Sequence, residues 1–270
     1  MLNLSFKQAE QAFTIDLNEN GTKLPTCMKS ESTAYGTLLV GTPDILFRKA
    51  VEMLLTEASK RSTATIGLPG GITPHKWFKW VIDNRMLDSY ALDRICWLVS
   101  DERYVPVESE QSNFGNASRL FLDPLEVPET RRMPWPTQVD PYSASIVFNR
   151  RWNERFGENR CFDLCFLGLG DDGHMASIFP NSPLRGMETR ENFSSVDVPG
   201  RGWRLTITEQ GLNRCGKILL LVMGARKAEP LKAVFESAYD PSGQPAHLLR
   251  DISENVTWLV DEEAASGLNI

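Results

Sequence analysis

The chain has 270 residues and a mass of 30.4 kDa, enough for one large α/β domain or two smaller ones and for a sizeable buried core. A hydrophobic fraction of 41% and a charged fraction of 24% are ordinary for a globular protein. A net charge of −6 and a pI near 5.3 argue against a nucleic-acid partner, which a basic surface would serve, and the longest aliphatic run, Ile218 to Met223, is too short to span a bilayer.

Residues 1–33 are mixed and polar, with a turn at Asn18 to Gly21, and read as an N-terminal extension without an assignable role. A single α/β domain is expected over residues 34–270. The leading stretch MLNLSFKQAEQAF lacks a basic segment followed by an apolar core, so no secretory signal is expected. The cysteines, Cys27, Cys96, Cys161, Cys165 and Cys215, are odd in number and form no CxxC. They read as reduced core residues of a cytoplasmic chain.

Thr37 to Gly41 reads as a short strand, and Pro43 to Lys60 carries helical spacing at Leu46, Ala50, Val51, Leu54 and Leu55. Thr63 to Leu68 is the next strand. Pro69-Gly70-Gly71-Ile72-Thr73-Pro74 joins it to a helix whose expected N-cap is Thr73, with Pro74 at the first helical position and an apolar stripe at Trp77, Phe78, Val81 and Ile82. Two glycines before a helix start offer backbone N–H groups to an anion, which suits a phosphate, although glycines serve an ordinary βα turn equally well.

Arg94 to Ser100 is another buried strand, and Asp101-Glu102-Arg103 leaves its end. Such a run is either a solvated turn or a carboxylate and a cation offered to one ligand. Prolines 124, 128, 134, 136 and 141 mark an extended crossover, followed by a helix over 143–156. Cys161 to Leu169 is apolar nearly throughout, as a parallel strand covered on both faces would be.

The stretch GLGDDGHMASIFP, Gly168 to Pro180, leaves that strand and admits three readings. Gly168, Gly170 and Gly173 satisfy GxGxxG, with Glu188 and Glu191 about 20 residues on, but Asp171 and Asp172 at the variable positions would repel a pyrophosphate. A polar, well-bonded turn is the plain alternative. The third reading is catalytic, with His174 as a general base steered by Asp172.

Asn181 to Gly202 is polar and glycine-bearing, suited to a mobile flap. Arg204 to Thr208 follows, and Lys217 to Met223 is a strand ending in Gly224-Ala225-Arg226-Lys227. A lysine at a helix start is unfavourable against the dipole, a mismatch that a residue kept for anion binding would explain. A helix runs on through Ala238, His247 reads as a packing residue, and Val256 to Val260 is the last strand. Six strand-like runs separated mostly by helices imply a mainly parallel sheet flanked by helices.

GLGDDGHMASIFP resembles the signature loop of the 6-phosphogluconolactonases, whose superfamily also holds the glucosamine-6-phosphate deaminases. The likeness extends over roughly Thr37 to the C-terminus, through the Gly-Gly-x-Thr-Pro loop at Gly70, the Asp-Glu-Arg run with Ser112-Asn113 downstream, the arginine at 204 and the Gly-x-x-Lys at Lys227. It implies a modified Rossmann-like α/β fold of the deaminase/ribose-5-phosphate isomerase kind. It also implies hydrolysis of 6-phosphogluconolactone to 6-phosphogluconate, a pentose phosphate pathway step, in the cytoplasm.

In that reading His174 is the base, Asp172 orients it, and Arg204 polarises the carbonyl. Gly70, Gly71, Thr73, Arg103 and Lys227 bind the sugar phosphate. The partner is a small phosphorylated sugar lactone. No cofactor or metal is expected, since the three histidines have no HxxxH or HExxH spacing. Pro69 and Ile72 stand where the family commonly has serine, which leaves more to the backbone amides and Thr73.

Two alternatives remain. The deaminases follow Asp-Gly-His with Phe-Asn-Glu-Pro, and here Phe179 precedes Pro180, so the proton-transfer carboxylate is missing. A sugar-phosphate sensor would carry a DNA-binding segment, and residues 1–33 have neither a helix-turn-helix pattern nor a basic cluster.

Overall fold

The computed structural model describes residues 28–184 and 189–269. The turn at Asn18, the leading stretch, Cys27 and Glu188 lie outside the described residues. In chain order the elements are β1 Lys29–Thr33, β2 Gly36–Gly41, α1 Pro43–Ser59, β3 Ala64–Leu68, α2 Ile72–Asp83, α3 Ser89–Leu92, β4 Ile95–Val99, β5 Asp101–Arg103 and α4 Asn113–Ala117. They continue with α5 Pro141–Phe156, β6 Leu164–Leu167, β7 Phe193–Val198, β8 Gly202–Ile207, α6 Glu209–Asn213, β9 Lys217–Val222, α7 Ala228–Glu236, β10 Val256–Asp261 and α8 Glu262–Ala265.

The apolar runs become a seven-stranded sheet in the order β1-β2-β10-β9-β6-β3-β4, parallel except where β1 pairs antiparallel with β2. Strands β3, β4 and β6 are buried at every position, as strands covered on both faces must be. The exception is β1, KSEST, which is almost wholly exposed; its polar, charged sequence suits a sheet edge. Pairing therefore begins at Lys29, within the stretch that composition assigned to an extension.

A second sheet, β5-β8-β7, is antiparallel and three-stranded, and it grows from the carboxyl end of β4. Ser100 joins the two, its carbonyl accepting from the Ile207 N–H at 3.0 Å. Strand β7 lies inside the stretch expected to be a flap. Val196 and Val198, two apart, are buried with the exposed Asp197 between them, Phe193 is buried at the start of the strand, and full pairing to β8 from Phe193 to Val198 gives it order.

Helix α1 presents Leu46, Ala50, Val51, Leu54 and Leu55 inward at the spacing of one helical face. Helix α2 differs from expectation at its start. Gly71, not Thr73, is the N-cap, at φ 108°, a conformation that glycine adopts without strain. Pro74 then falls at the third helical position, where the missing N–H costs nothing because first-turn amides have no partner inside the helix.

Two aromatic groups pack the helices on the sheet. Trp77 of α2 meets Phe166 of β6 at 4.8 Å, and Phe78 stacks on Phe121 at 4.7 Å. Trp152 of α5 lies against Phe156, Phe162 and Phe193, with its indole N–H donating to the Arg160 carbonyl at 2.9 Å. Trp152 is fully buried, so Trp152→Ala leaves a large cavity and is expected to cost about 3–5 kcal/mol in urea unfolding. A loss under 1 kcal/mol would mean that this side of the core is not packed as described.

Because β3, β4, β6 and β9 are parallel, the loops after them emerge at one edge of the sheet. From β3 the chain leaves toward β4, and from β6 it leaves the opposite way, toward β9. Adjacent strands with diverging connections open a crevice at their carboxyl ends, which is where open α/β sheets bind ligands.

Candidate active site

Four loops meet at that edge: Pro69–Thr73 after β3, Asp101–Arg103 continuing β4, Gly168–Pro180 after β6 and Gly224–Lys227 after β9. The loop after β6 carries the most polar chemistry. His174 Nδ1 lies 2.5 Å from Asp172 Oδ1, and the same oxygen accepts from the His174 backbone N–H at 3.2 Å. A ring nitrogen facing a carboxylate carries the proton, so the neutral ring has its lone pair at Nε2.

Burial pushes the Asp172 carboxyl up, but the hydrogen bond and charge of His174, with Arg201 beside it, outweigh this and hold it below the usual carboxylate range. Asp172 is therefore ionised at neutral pH. The His174 ring stacks on Phe179, centroids 4.5 Å apart. The loop is tied down from below by Ser177, whose hydroxyl donates to Asp101 at 2.6 Å and whose backbone N–H donates to Thr206 Oγ1 at 3.1 Å. Ala176 completes the tight turn at φ 49°, a strained region for a residue with a Cβ.

Gly170 is where this geometry needs a glycine, since a Cβ there would sit on His174 Nδ1 and crowd Asp172 Oδ1. Gly170→Ala should displace the ring from its carboxylate and lower kcat by roughly 10²-fold, with little change in KM. A variant with full turnover would show that the contact between the two side chains is dispensable. No helix follows these glycines through Leu184, so the GxGxxG reading lacks the helix N-terminus that would hold a pyrophosphate.

On the β3 and β4 side, Gly70 lies so close to Asn113 that any side chain would collide with its amide. That amide donates to the Asp101 carbonyl at 2.8 Å and accepts from Arg103 Nη1 at 2.5 Å. Arg103 also donates to the Gln111 carbonyl at 3.0 Å. Glu102 does not face a ligand. Its buried carboxylate accepts from Ser112 Oγ and from the N–H groups of Arg103, Asn113 and Phe114 at 2.6–2.9 Å. Burial pushes this carboxyl up against those bonds. Its work is to pin the start of α4, so of the acidic pair and arginine only Arg103 is left for a ligand.

Arg103 and Arg204 are register partners across β5 and β8. Burial lowers the Arg204 pKa, and the neighbouring Arg103 and Arg201 lower it further against the opposing Asp101. Two guanidinium groups held side by side in a half-buried place are a costly arrangement without an anion between them. His75, in the first turn of α2, is lowered by burial and by the charge of Arg103, which keeps its ring neutral. Thr73 follows Gly71 in the same turn, and Ile72 beside it is 67% exposed.

Lys227 stands at the N-cap of α7 and bonds Asp171 Oδ1 at 2.5 Å, with Arg226 at 3.9 Å from the other oxygen. The hydrogen bond from Lys227 is the main cause that lowers the Asp171 carboxyl. Gly224, at φ 93°, turns the chain into this position, and its N–H donates to both oxygens of Asp261 at 2.9–3.0 Å. His247 is fully buried elsewhere, accepting from the Asp240 N–H and donating to the Val234 carbonyl, as a packing residue would.

The loops after β6 and β9 are thus joined through Asp171 and Lys227, and those after β3 and β4 through Gly70, Asn113 and Arg103. Asp101 bridges the two groups by way of Ser177. Sequence reasoning missed Arg201, which bonds Asp172 Oδ2 at 2.8 Å, because the partner is far away along the chain. Among the described residues no cluster of three or more His, Cys, Asp and Glu is arranged to hold a metal, and no helix is long and apolar enough to cross a membrane.

Comparison with known proteins gives the same architecture. The 6-phosphogluconolactonase of Synechocystis sp. is 32% identical over 233 residues, covering 83% of this chain and 94% of that protein. The Thermotoga maritima 6-phosphogluconolactonase is 28% identical over 213 residues, 79% of this chain and 90% of that one. Among solved structures, 6-phosphogluconolactonase from Trypanosoma cruzi superposes with a TM-score of 0.74 at 22% identity, over 86% of this chain and 97% of that chain. A monomeric glucosamine-6-phosphate deaminase superposes with a TM-score of 0.72 at 19% identity, over 85% and 99%. At these identities the two structures speak for the fold alone. Residues 44–258 match the family described as Glucosamine-6-phosphate isomerases/6-phosphogluconolactonase, and with the Synechocystis relative this establishes that the chain belongs to that family.

Proposed function

We propose that this chain hydrolyses 6-phosphogluconolactone to 6-phosphogluconate in the cytoplasm. The observation that carries the reading is the His174 ring, bound through Nδ1 to an ionised Asp172 and without a hydrogen bond to Nε2 among the described residues. Nε2 takes a proton from water as the water oxygen bonds to the lactone carbonyl carbon. Negative charge moves to the carbonyl oxygen, where Arg204, with Arg103 beside it, stabilises it. As the carbonyl re-forms, the bond to the ring oxygen breaks, and that oxygen takes the proton back from the imidazolium. Water has been added and His174 is neutral again.

Phosphate recognition falls to the Gly70 and Gly71 amides, Thr73 and Lys227, with Arg103 available from β5. Lys227 is then shared between Asp171 in the free enzyme and phosphate in the complex. Family membership leaves a deaminase open in principle. That reaction needs a carboxylate just before Pro180, and the residue there, Phe179, is stacked on His174. Cys96, Cys161, Cys165 and Cys215 are all buried and free, which suits a reducing compartment. We treat residues 34–270 as one catalytic domain, with β1 adding an edge strand before it.

Lys227→Ala is expected to raise KM for the phosphorylated lactone by about 10- to 100-fold, the worth of one charge-assisted contact, and to leave turnover of an unphosphorylated lactone unchanged. Steady-state kinetics on both substrates decides it, since equal losses on the two would remove the phosphate from this end of the site.

A further inference from the structure

We propose that Arg201 is a positioning residue that holds the Asp172–His174 pair in its productive orientation, an inference that rests on the lactonase reading for its kinetic consequences. Asp172 divides its carboxylate between two partners. Oδ1 accepts from His174 Nδ1 and the His174 N–H, and Oδ2 accepts from Arg201 Nη2 at 2.8 Å. With both oxygens engaged on opposite sides, the carboxylate has one orientation instead of a freely rotating one.

The guanidinium of Arg201 also lies 4.7 Å from the centre of the Phe179 ring, and Phe179 is the ring that stacks on His174. Arg201, Asp172, His174 and Phe179 therefore form a closed circuit of contacts. The base is braced through its nitrogen by the carboxylate and through its face by the aromatic ring, and Arg201 touches both braces.

Arg201 can reach there because it sits in the turn that joins β7 to β8. Its N–H donates to the Val198 carbonyl at 2.8 Å, and Gly200 and Gly202 on either side of it take φ values of 73° and 71°. The circuit latches this hairpin, part of the stretch whose composition suggests a flap, onto the catalytic loop. Arg201 is 48% exposed and Asp172 37% exposed, so the pair contributes modestly in energy and acts through geometry. The other charges about the pair are Asp171, which Lys227 and Arg226 neutralise, and Arg204 from β8.

Removing Arg201 frees Asp172 to rotate and takes a cation away from beside the imidazolium. Arg201→Ala is expected to lower kcat for the phosphorylated lactone about tenfold with KM within a factor of two, and to move the acid limb of the kcat profile up by about half a pH unit. Arg201→Lys keeps a cation for Asp172 and Phe179 and should restore the acid limb and part of kcat. Histidine proton NMR gives a readout independent of turnover. Of the three histidine ring signals, that of His174 alone should titrate at higher pH in Arg201→Ala than in the wild type.

A rise in KM at constant kcat would make Arg201 a substrate ligand and overturn the proposal. So would an unchanged acid limb together with an unchanged His174 titration. A wild-type protein that is inactive on the lactone, yet whose His174 signal still moves on Arg201→Ala, would remove the lactonase reading and leave the positioning role standing.

Discussion

His174→Ala is expected to lower kcat on 6-phosphogluconolactone by 10²- to 10⁴-fold, the usual contribution of a positioned general base, while KM changes little. The effects separate because His174 belongs to the loop after β6, whereas the proposed phosphate ligands lie on the segments after β3, β4 and β9. The substitution should be gentle on the fold. His174 is partly exposed, and its side-chain contacts are the Asp172 carboxylate and the face of Phe179. Thermal unfolding within a few degrees of the wild type would confirm that lost turnover is lost chemistry. Near wild-type turnover would place the base elsewhere, and the Gly168–Pro180 loop would lose its catalytic role.

Arg204→Ala is the second large effect, expected at about 10²- to 10³-fold in kcat, the scale of removing one preorganised donor to a developing oxyanion. Its effect on stability is expected to be small. Arg204 faces Arg103 in register and lies near Arg201, and burial together with these like charges lowers its pKa. Removing it takes away both that repulsion and the hydrogen bond from its Nη1 to the Trp203 carbonyl at 3.1 Å, so the variant should unfold in urea at nearly the same concentration as the wild type. A protein that keeps its turnover would exclude Arg204 from the transition state. A protein that loses stability along with activity would make Arg204 a structural residue.

The sheet was legible because its strands are covered on both faces. ATIGL, ICWLV and, after its opening lysine, KILLLV are runs of apolar and small residues, as strands covered on both faces require. KSEST carries no such signal, since β1 is an exposed edge whose order comes from pairing with β2. Strand β7 was hidden for a related reason: Ser194, Ser195 and Asp197 dilute its pattern, and the partner that orders it lies across a turn.

In the site, Asp172 and His174 were legible because the contact is local, two residues apart in a loop that glycines close. Arg201 was not, since its partner is 29 residues back and is reached only when β7 and β8 fold over. Thr73 looked like a cap on residue type, and Gly71 took the position because the turn out of β3 requires a positive φ. Glu102 looked like a ligand-facing acid, and four hydrogen bonds turn it inward to hold Ser112 and Asn113.

Opening of a phosphorylated sugar lactone by directed attack of water is read from acid release from freshly generated 6-phosphogluconolactone with the wild-type protein, after spontaneous opening is subtracted, with ammonia release from glucosamine 6-phosphate measured beside it. The expected result is saturable acid release far above the blank, with 6-phosphogluconate as product and no ammonia. Acid release no faster than the blank, or ammonia release with Phe179 in place of the deaminase carboxylate, would overturn the lactonase assignment.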